Sequence, residues 1–198
     1  MEVQMFTKLF QKNMVQCVWS FCLIALLLVV PGCYGPKETA QQDKQVQLAQ
    51  TAAQPQVIPA SITCGKCGMY PAKYPQWQTQ VVFKDGSMTP FDGCKCLFGF
   101  LLNMSQYDNA HSTDDVAVVW VKDFNSGEWL EAEGAYFVVG SSEMGPMGKE
   151  LIPFGKKSEA TRFQEKNGGT LVMYSAIDME VLRPLMGGMK MKGSGHMM

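Results

Sequence analysis

QTQVVFKDGSMTPFDGCKCLFGFLLNM, residues 78–104, holds two strands and a helix in quick succession. Gln78 to Lys84 alternates around Val81 and Phe83, Asp85-Gly86 marks a tight turn, and Met88 to Phe91 returns as the second strand. Asp92-Gly93 then opens a helix predicted to run through Met104, with Leu97, Phe98, Leu101 and Leu102 spaced for a buried face. Downstream, Val116 to Val121 is β-branched and nearly continuous, the pattern of a central strand. Asn125-Ser126-Gly127 turns the chain, and Tyr136 to Val139 gives a further strand. Ser158 is placed to cap a helix through Lys166 with Ala160 and Phe163 inward. Asn167-Gly168-Gly169 ends that helix, and Leu171 to Tyr174 is the last strand. Strand–strand–helix–strand thus occurs twice with only element order shared. The expectation is an α+β fold of two small ββαβ units.

Around this core the chain has 198 residues, 46% apolar and 18% charged, enough for one ordinary core and too apolar for wholesale disorder. Its 17 basic and 18 acidic residues nearly cancel, so it offers no basic field for nucleic acid. Sulfur is abundant instead: 15 Met and 7 Cys stand beside only two histidines, His111 and His196. Soft donors in surplus favour soft metals.

Some of that sulfur belongs to an export signal. Lys8 and Lys12 precede an apolar run from Val18 to Val30. At 1.5 Å per residue this run covers about 20 Å, short of the roughly 30 Å hydrocarbon core, which fits a signal peptide better than a spanning helix. Val30-Pro31-Gly32-Cys33 follows and resembles a bacterial lipobox, implying a lipid on Cys33 that anchors the chain to a membrane. Tyr34, where an Asp would retain the protein at the inner membrane, implies the outer membrane if the organism has two. The expected organisation is a signal peptide over 1–32, a lipidated N-terminus and Gln-rich flexible linker over 33–60, a folded domain over 61–185 and a Met-rich flexible tail over 186–198. Four cysteines then remain for chemistry in a compartment where disulfides can form.

Cys64-Gly65-Lys66-Cys67 is a CxxC that brings two thiols onto one turn, where they can share a metal or pair as a disulfide. Gly68 lets the backbone fold back, and Met69 can add a thioether. Thiolate plus thioether is a donor set suited to Cu(I), whereas zinc rarely uses Met. Cys94-Lys95-Cys96 begins the first helix, where the helix dipole is expected to lower both thiol pKa values. Asp92 and Lys95 read as a cap and a solvated charge. Met104 and Met173 read as core filler. Met144 and Met147 lie in a Gly/Pro loop that suits a core less well. Two other readings of the thiols stay open, a structural four-cysteine zinc site and a pair of disulfides, although a CxC loop is strained when oxidised. A thioredoxin-like oxidoreductase would need a helix after the CxxC, against which Pro71 and Pro75 argue.

Cys67-Gly68-Met69, Tyr74-Pro75-Gln76-Trp77, Phe83-Lys84-Asp85-Gly86 and Phe91-Asp92-Gly93 occur in that order. Met147-Gly148-Lys149-Glu150-Leu151-Ile152-Pro153-Phe154, Ala160 and Gly168-Gly169 follow. The series resembles the NosL family of lipoprotein copper chaperones, over about residues 62–178. The resemblance implies a fold similar to the organomercurial lyase MerB, and a carrier rather than an enzyme. It implies Cu(I) on Cys67 and Met69 with a further soft donor from the second half, for which Met147 is the candidate. The implied partner is nitrous oxide reductase or its membrane-bound maturation machinery, on the periplasmic side of the envelope. Cys94-Lys95-Cys96 departs from the family, where Pro-Lys-Asp is common, and adds two thiols that either enlarge the copper site or serve another metal. With Asp92 beside them they also permit a lyase reading. Cys64, Cys67, Cys94, Cys96, Met69, Met144 and Met147 are the candidate metal ligands, with Zn as the alternative to Cu(I).

Overall fold

The computed structural model describes residues 54–187. The expected signal peptide, Cys33, most of the expected linker and residues 188–198 lie outside the described residues. Among the described residues no helix is long and apolar enough to cross a membrane.

Strands β1 (Thr79–Phe83) and β2 (Met88–Phe91) form an antiparallel hairpin. Helix α1 (Cys94–Leu101) follows, and β3 (Val116–Lys122) pairs with the other side of β1. A short β4 (Trp129–Glu131) extends this sheet to the order β2-β1-β3-β4. The second unit repeats the plan with β5 (Tyr136–Gly145), β6 (Gly148–Phe154), α2 (Lys157–Asn167) and β7 (Thr170–Met173), giving the order β6-β5-β7. In each unit the first strand is central, its hairpin partner lies on one side and the strand after the helix on the other. The two ββαβ units read from the sequence are therefore present, and β4 is an addition to the first. A one-turn helix α3 (Met179–Leu182) follows, capped by Asp178, whose carboxylate accepts from the N–H groups of Glu180 and Val181.

The first hairpin closes through three residues. Gly86 N–H donates to Phe83 O and Phe83 N–H to Ser87 O, with Gly86 at φ +86°, a conformation that glycine adopts without a side-chain clash. Every residue of β1 is buried, in place of the expected alternation. Gln80 tolerates this because its amide mimics a peptide: Oε1 accepts from Gln56 N–H at 2.9 Å and Nε2 donates to Gln56 O at 3.0 Å. Packing thus reaches back to Gln56 and Ile58, upstream of residue 61.

Helix α1 is buried from Cys94 to Phe100 because it packs against β1 and β2 on one side and β6 and α3 on the other. It stops at Leu101, short of the expected Met104. Leu102, expected inward, is 40% exposed, while a following 3-10 turn returns Met104 to the core as expected. Met173, also expected in the core, is 42% exposed at the end of edge strand β7. Helix α2 buries Ala160 and packs Phe163 beside Val138, Ile152 and Phe154. Its N-cap is Lys156, which makes no side-chain cap bond, so Ser158 lies inside the helix and does not cap it.

Asp123 ends β3 and organises the next turn. Its Oδ1 accepts from the N–H groups of Asn125 (2.9 Å) and Ser126 (2.8 Å), and its Oδ2 from Gly155 N–H (2.7 Å), so it joins the two units. Asp123→Ala would leave three backbone donors short of a partner, and a loss of about 2–3 kcal/mol is expected in urea unfolding. Asp123→Asn, which keeps an acceptor oxygen, should lose less.

Candidate metal centre

The CxxC turn is shaped by its own backbone. Cys64 N–H donates to Met69 O (2.6 Å), Gly68 N–H donates to Cys64 O (3.2 Å), and Gly68 sits at φ +79°, so the segment folds back on itself. Gly65 N–H donates to Pro90 O (3.0 Å) and docks the turn on edge strand β2. A side chain at Gly65 would collide with Thr89, which makes glycine necessary at this close approach. Downstream, Pro71–Lys73 and Pro75–Trp77 form only short 3-10 turns, so no α-helix follows the motif directly.

The turn faces the start of α1. Thiols of Cys64, Cys67 and Cys96 and a carboxylate oxygen of Asp92 converge so that all four ligand atoms lie within 4.8 Å of one another. Cys67 Sγ donates to Asp92 Oδ1 at 3.3 Å. The other oxygen, Asp92 Oδ2, is buried with no hydrogen-bond partner. An orphaned buried oxygen among three thiols is costly unless something binds it. From the second unit, the Pro146-Met147 tip between β5 and β6 supplies a fourth sulfur: Cys96 Sγ donates to Met147 Sδ at 3.9 Å. Cys64, Cys96 and Asp92 are buried, and Cys67 is the partly exposed member.

All four cysteines of the described residues are free thiols. Hydrogen bonding with Cys67 and Cys96 lowers the pKa of Cys64, so it is the thiol of the group that ionises first. Cys67 is pushed up to about 12, chiefly by its hydrogen bond with the Cys64 sulfur and then by burial. Cys96 is pushed up strongly by its bonds to Cys64 and Cys67 and by burial. Burial and the Cys64 thiolate raise Asp92 as well.

The expected effect of the helix dipole on the CxC thiols is overturned. Cys94, like Cys96, titrates well above the ordinary thiol value, through burial and the nearby Glu150 carboxylate. Residues two apart on a helix point about 200° apart. Cys94 accordingly lies outside the four-residue group, lining a small cleft with Trp77 and Phe124. Asp92 and Lys95 are also corrected. The N-cap of α1 is Gly93, with no side-chain cap bond, and Asp92 belongs to the sulfur cluster. Lys95 is buried, with Nζ donating to Met147 O (2.7 Å) and Leu185 O (3.3 Å).

A cap for α1 comes from the other unit. Glu150 on β6 is fully buried, and its Oε1 accepts from Lys95 N–H (2.5 Å) and Leu151 N–H (2.9 Å). A side chain at Gly93 would run into the same carboxylate. Burial pushes Glu150 up to about 7 despite those bonds.

Met69 is half-buried and contributes its carbonyl to Cys64 and its N–H to the Cys67 sulfur. Met144 is 52% exposed on β5, paired with Lys149. His111 serves a different turn: it stacks on Phe83 at 3.9 Å, and its Nδ1 lies 2.8 Å from Asp108. Sequence reasoning set Asp92 beside the CxC thiols only under the lyase reading, did not count it among the metal ligands, and missed Glu150 as the cap. Both belong to quoted motifs, Phe91-Asp92-Gly93 and Met147 to Phe154, but their burial depends on contacts between the units.

The NosL family matches residues 55–182 of this chain. The copper-binding lipoprotein NosL of Stutzerimonas stutzeri is 30% identical over 166 residues, covering 81% of this chain and 81% of its own. That of Achromobacter cycloclastes is 39% identical over 61 residues, 30% of this chain and 32% of its own. The copper chaperone NosL from Shewanella denitrificans, known from a crystal structure, is similar in fold with a TM-score of 0.56 at 29% identity. That similarity covers 64% of this chain and 97% of the other.

Proposed function

This chain belongs to the NosL family, and on that footing we propose that it carries Cu(I) on the thiols of Cys64, Cys67 and Cys96 with the Met147 thioether beside them. The observation that carries the reading is the convergence of three thiols with a fourth sulfur at 3.9 Å from Cys96. Soft, polarisable donors suit Cu(I), which needs few of them. Cu(I) is cargo here, and the chain is a carrier rather than an enzyme. Cys67 is the accessible thiol, so an acceptor exchanges ligands from that side, displacing a weak thioether before the thiolates. Met69, beside Cys67, and Met144, exposed near the hairpin tip, are donors for that exchange. Cys94 has no part in it.

The acceptor is nitrous oxide reductase or the membrane-bound machinery that matures it. A lipid on Cys33 holds the carrier to the envelope on the periplasmic side, at the outer membrane where there are two. The Gln-rich segment upstream of the domain sets its distance from that membrane. A second reading draws support from Asp92, whose buried free oxygen is a hard donor that would complete a three-cysteine, one-carboxylate zinc site.

Anaerobic competition of the full chain against a Cu(I) chelator tests the proposal. Loss of an outer-sphere partner alone typically weakens a metal site 10–100-fold, so Cys67→Ser, which removes a ligand, is expected to weaken binding more than about 100-fold. Wild-type affinity in that variant would overturn the Cu(I) reading. One zinc retained through anaerobic purification, and not displaced by Cu(I), would favour the zinc site.

A further inference from the structure

The first sheet has one edge that is only half covered. β4 pairs with β3 at Trp120, Val121 and Lys122 and stops at Glu131, where Ala132–Gly134 turns away as a 3-10 helix. Upstream, Val116–Val119 pairs with β1 on one side. On the other side, among the described residues, no strand pairs with it, so the lane that β4 occupies is vacant beyond Glu131. The opposite edge of the sheet is managed differently: β2 carries Pro90, and the CxxC turn docks on it through Gly65 N–H. Val116-Ala117-Val118-Val119 carries neither proline nor charge, so nothing in its sequence discourages another strand.

A groove of about 450 Å³ runs beside this stretch, and all four residues from Val116 to Val119 line it. Side chains alternate between the faces of a sheet, so four consecutive lining residues place the groove along the backbone edge. Leu101 and Leu102 of α1 line it too, with Phe98 and Tyr174, whose rings lie 5.5 Å apart. Acidic groups stand at both ends. Glu131 and Glu133, both exposed, line the end where β4 stops, and no Lys or Arg lines the groove. Burial, and then the Glu133 charge, raise the pKa of the Tyr174 hydroxyl, so the acidic field reaches inward. At the other end the exposed Asp114 and Asp115 follow Thr113, with Lys84 Nζ on the Asp114 carbonyl at 2.6 Å.

We propose that this groove docks an extended, basic segment of a partner protein, which adds to β3 as a strand in the lane that β4 leaves vacant. The edge supplies main-chain donors and acceptors, Leu101 and Leu102 take an apolar side chain, and the acidic ends select Lys or Arg. At about 3.3 Å per residue, Val116–Val119 spans roughly 13 Å, room for about four residues of the incoming strand. A second copy fits less well. Antiparallel pairing of two such edges would set Glu131 and Glu133 of one copy toward Asp114 and Asp115 of the other. The inference is independent of which metal the cluster carries.

The probe is acetyl-Lys-Val-Thr-Val-Lys-amide, titrated into the isotopically labelled full chain and followed by amide NMR and hydrogen exchange. Amides of Val116–Val119 are expected to shift, and those on the vacant edge to exchange more slowly. Glu131→Lys/Glu133→Lys, at two exposed positions, is expected to bind the peptide at least about tenfold more weakly. Two further peptides carry N-methyl groups either on both Val residues or on Thr. A strand edge reads alternate amides only, so one methylation pattern is expected to weaken binding at least about tenfold and the other less than about threefold. Equal binding of both methylated peptides would mean attraction by charge alone and would overturn the proposal. Unchanged binding to Glu131→Lys/Glu133→Lys would also overturn it. If every amide from Val116 to Val119 is already protected before peptide is added, a second copy or the chain's own segment fills the groove, and the proposal falls.

Discussion

Replacing Cys96 by serine is expected to weaken Cu(I) binding by more than about 100-fold, while Cys94→Ala leaves it within about threefold of wild type. Both residues lie in the first turn of α1, are equally buried and differ by two positions in sequence. Helix geometry turns them to opposite sides: Cys96 faces Cys64, Cys67 and Met147, whereas Cys94 faces the Trp77 and Phe124 side. Serine offers Cu(I) a hard oxygen in place of a soft sulfur. The same competition titration, run on both variants, decides the matter. An equal loss in the two would mean that the helix acts through folding rather than as a ligand, and no loss in Cys96→Ser would remove α1 from the site.

Glu150 should give the largest change in stability. Glu150→Ala leaves the buried N–H groups of Lys95 and Leu151 without an acceptor, and a loss of about 3 kcal/mol is expected in urea unfolding. Glu150→Gln keeps an acceptor oxygen and should lose less. The carboxyl also gives stability a pH dependence. Its folded-state value, about 7, lies above its ordinary 4.5, so the fold binds this proton more tightly than the unfolded chain does. Its contribution is full below about pH 4.5 and is lost as pH rises through about 7. Across that window wild type should lose stability with rising pH relative to Glu150→Gln, so the difference between the two sets of unfolding curves isolates this carboxyl. The slope that remains belongs to the other shifted groups, with Asp92 and His111, both raised, acting in the same sense and Cys64, which is lowered, opposing them. A slope in Glu150→Gln equal to wild type would show that Glu150 does not titrate in this range.

The secondary structure was legible wherever a local signal was strong. The Asp85-Gly86 turn, the β-branched run at Val116–Val121 and the Gly168-Gly169 stop each mark a feature the fold keeps. Local signals misled where a second layer covers an element. Gln80 reads as an outward residue, yet it is buried under Gln56. Lys95 reads as a solvated charge, yet two carbonyls hold it inside. The CxC pair reads as one unit, yet a helix splits its thiols between two surroundings.

By itself the sequence determined the repeated ββαβ order, the CxxC turn and the preponderance of soft donors, because turn chemistry, residue periodicity and donor type are local properties. Only the tertiary structure decided which of those donors meet. Cys64 and Cys67 come from a loop docked on β2, Cys96 and Asp92 from the start of α1, and Met147 from a hairpin in the other unit. Their convergence depends on α1 being packed between both sheets with Glu150 on its N-terminus, and no spacing along the chain encodes that burial.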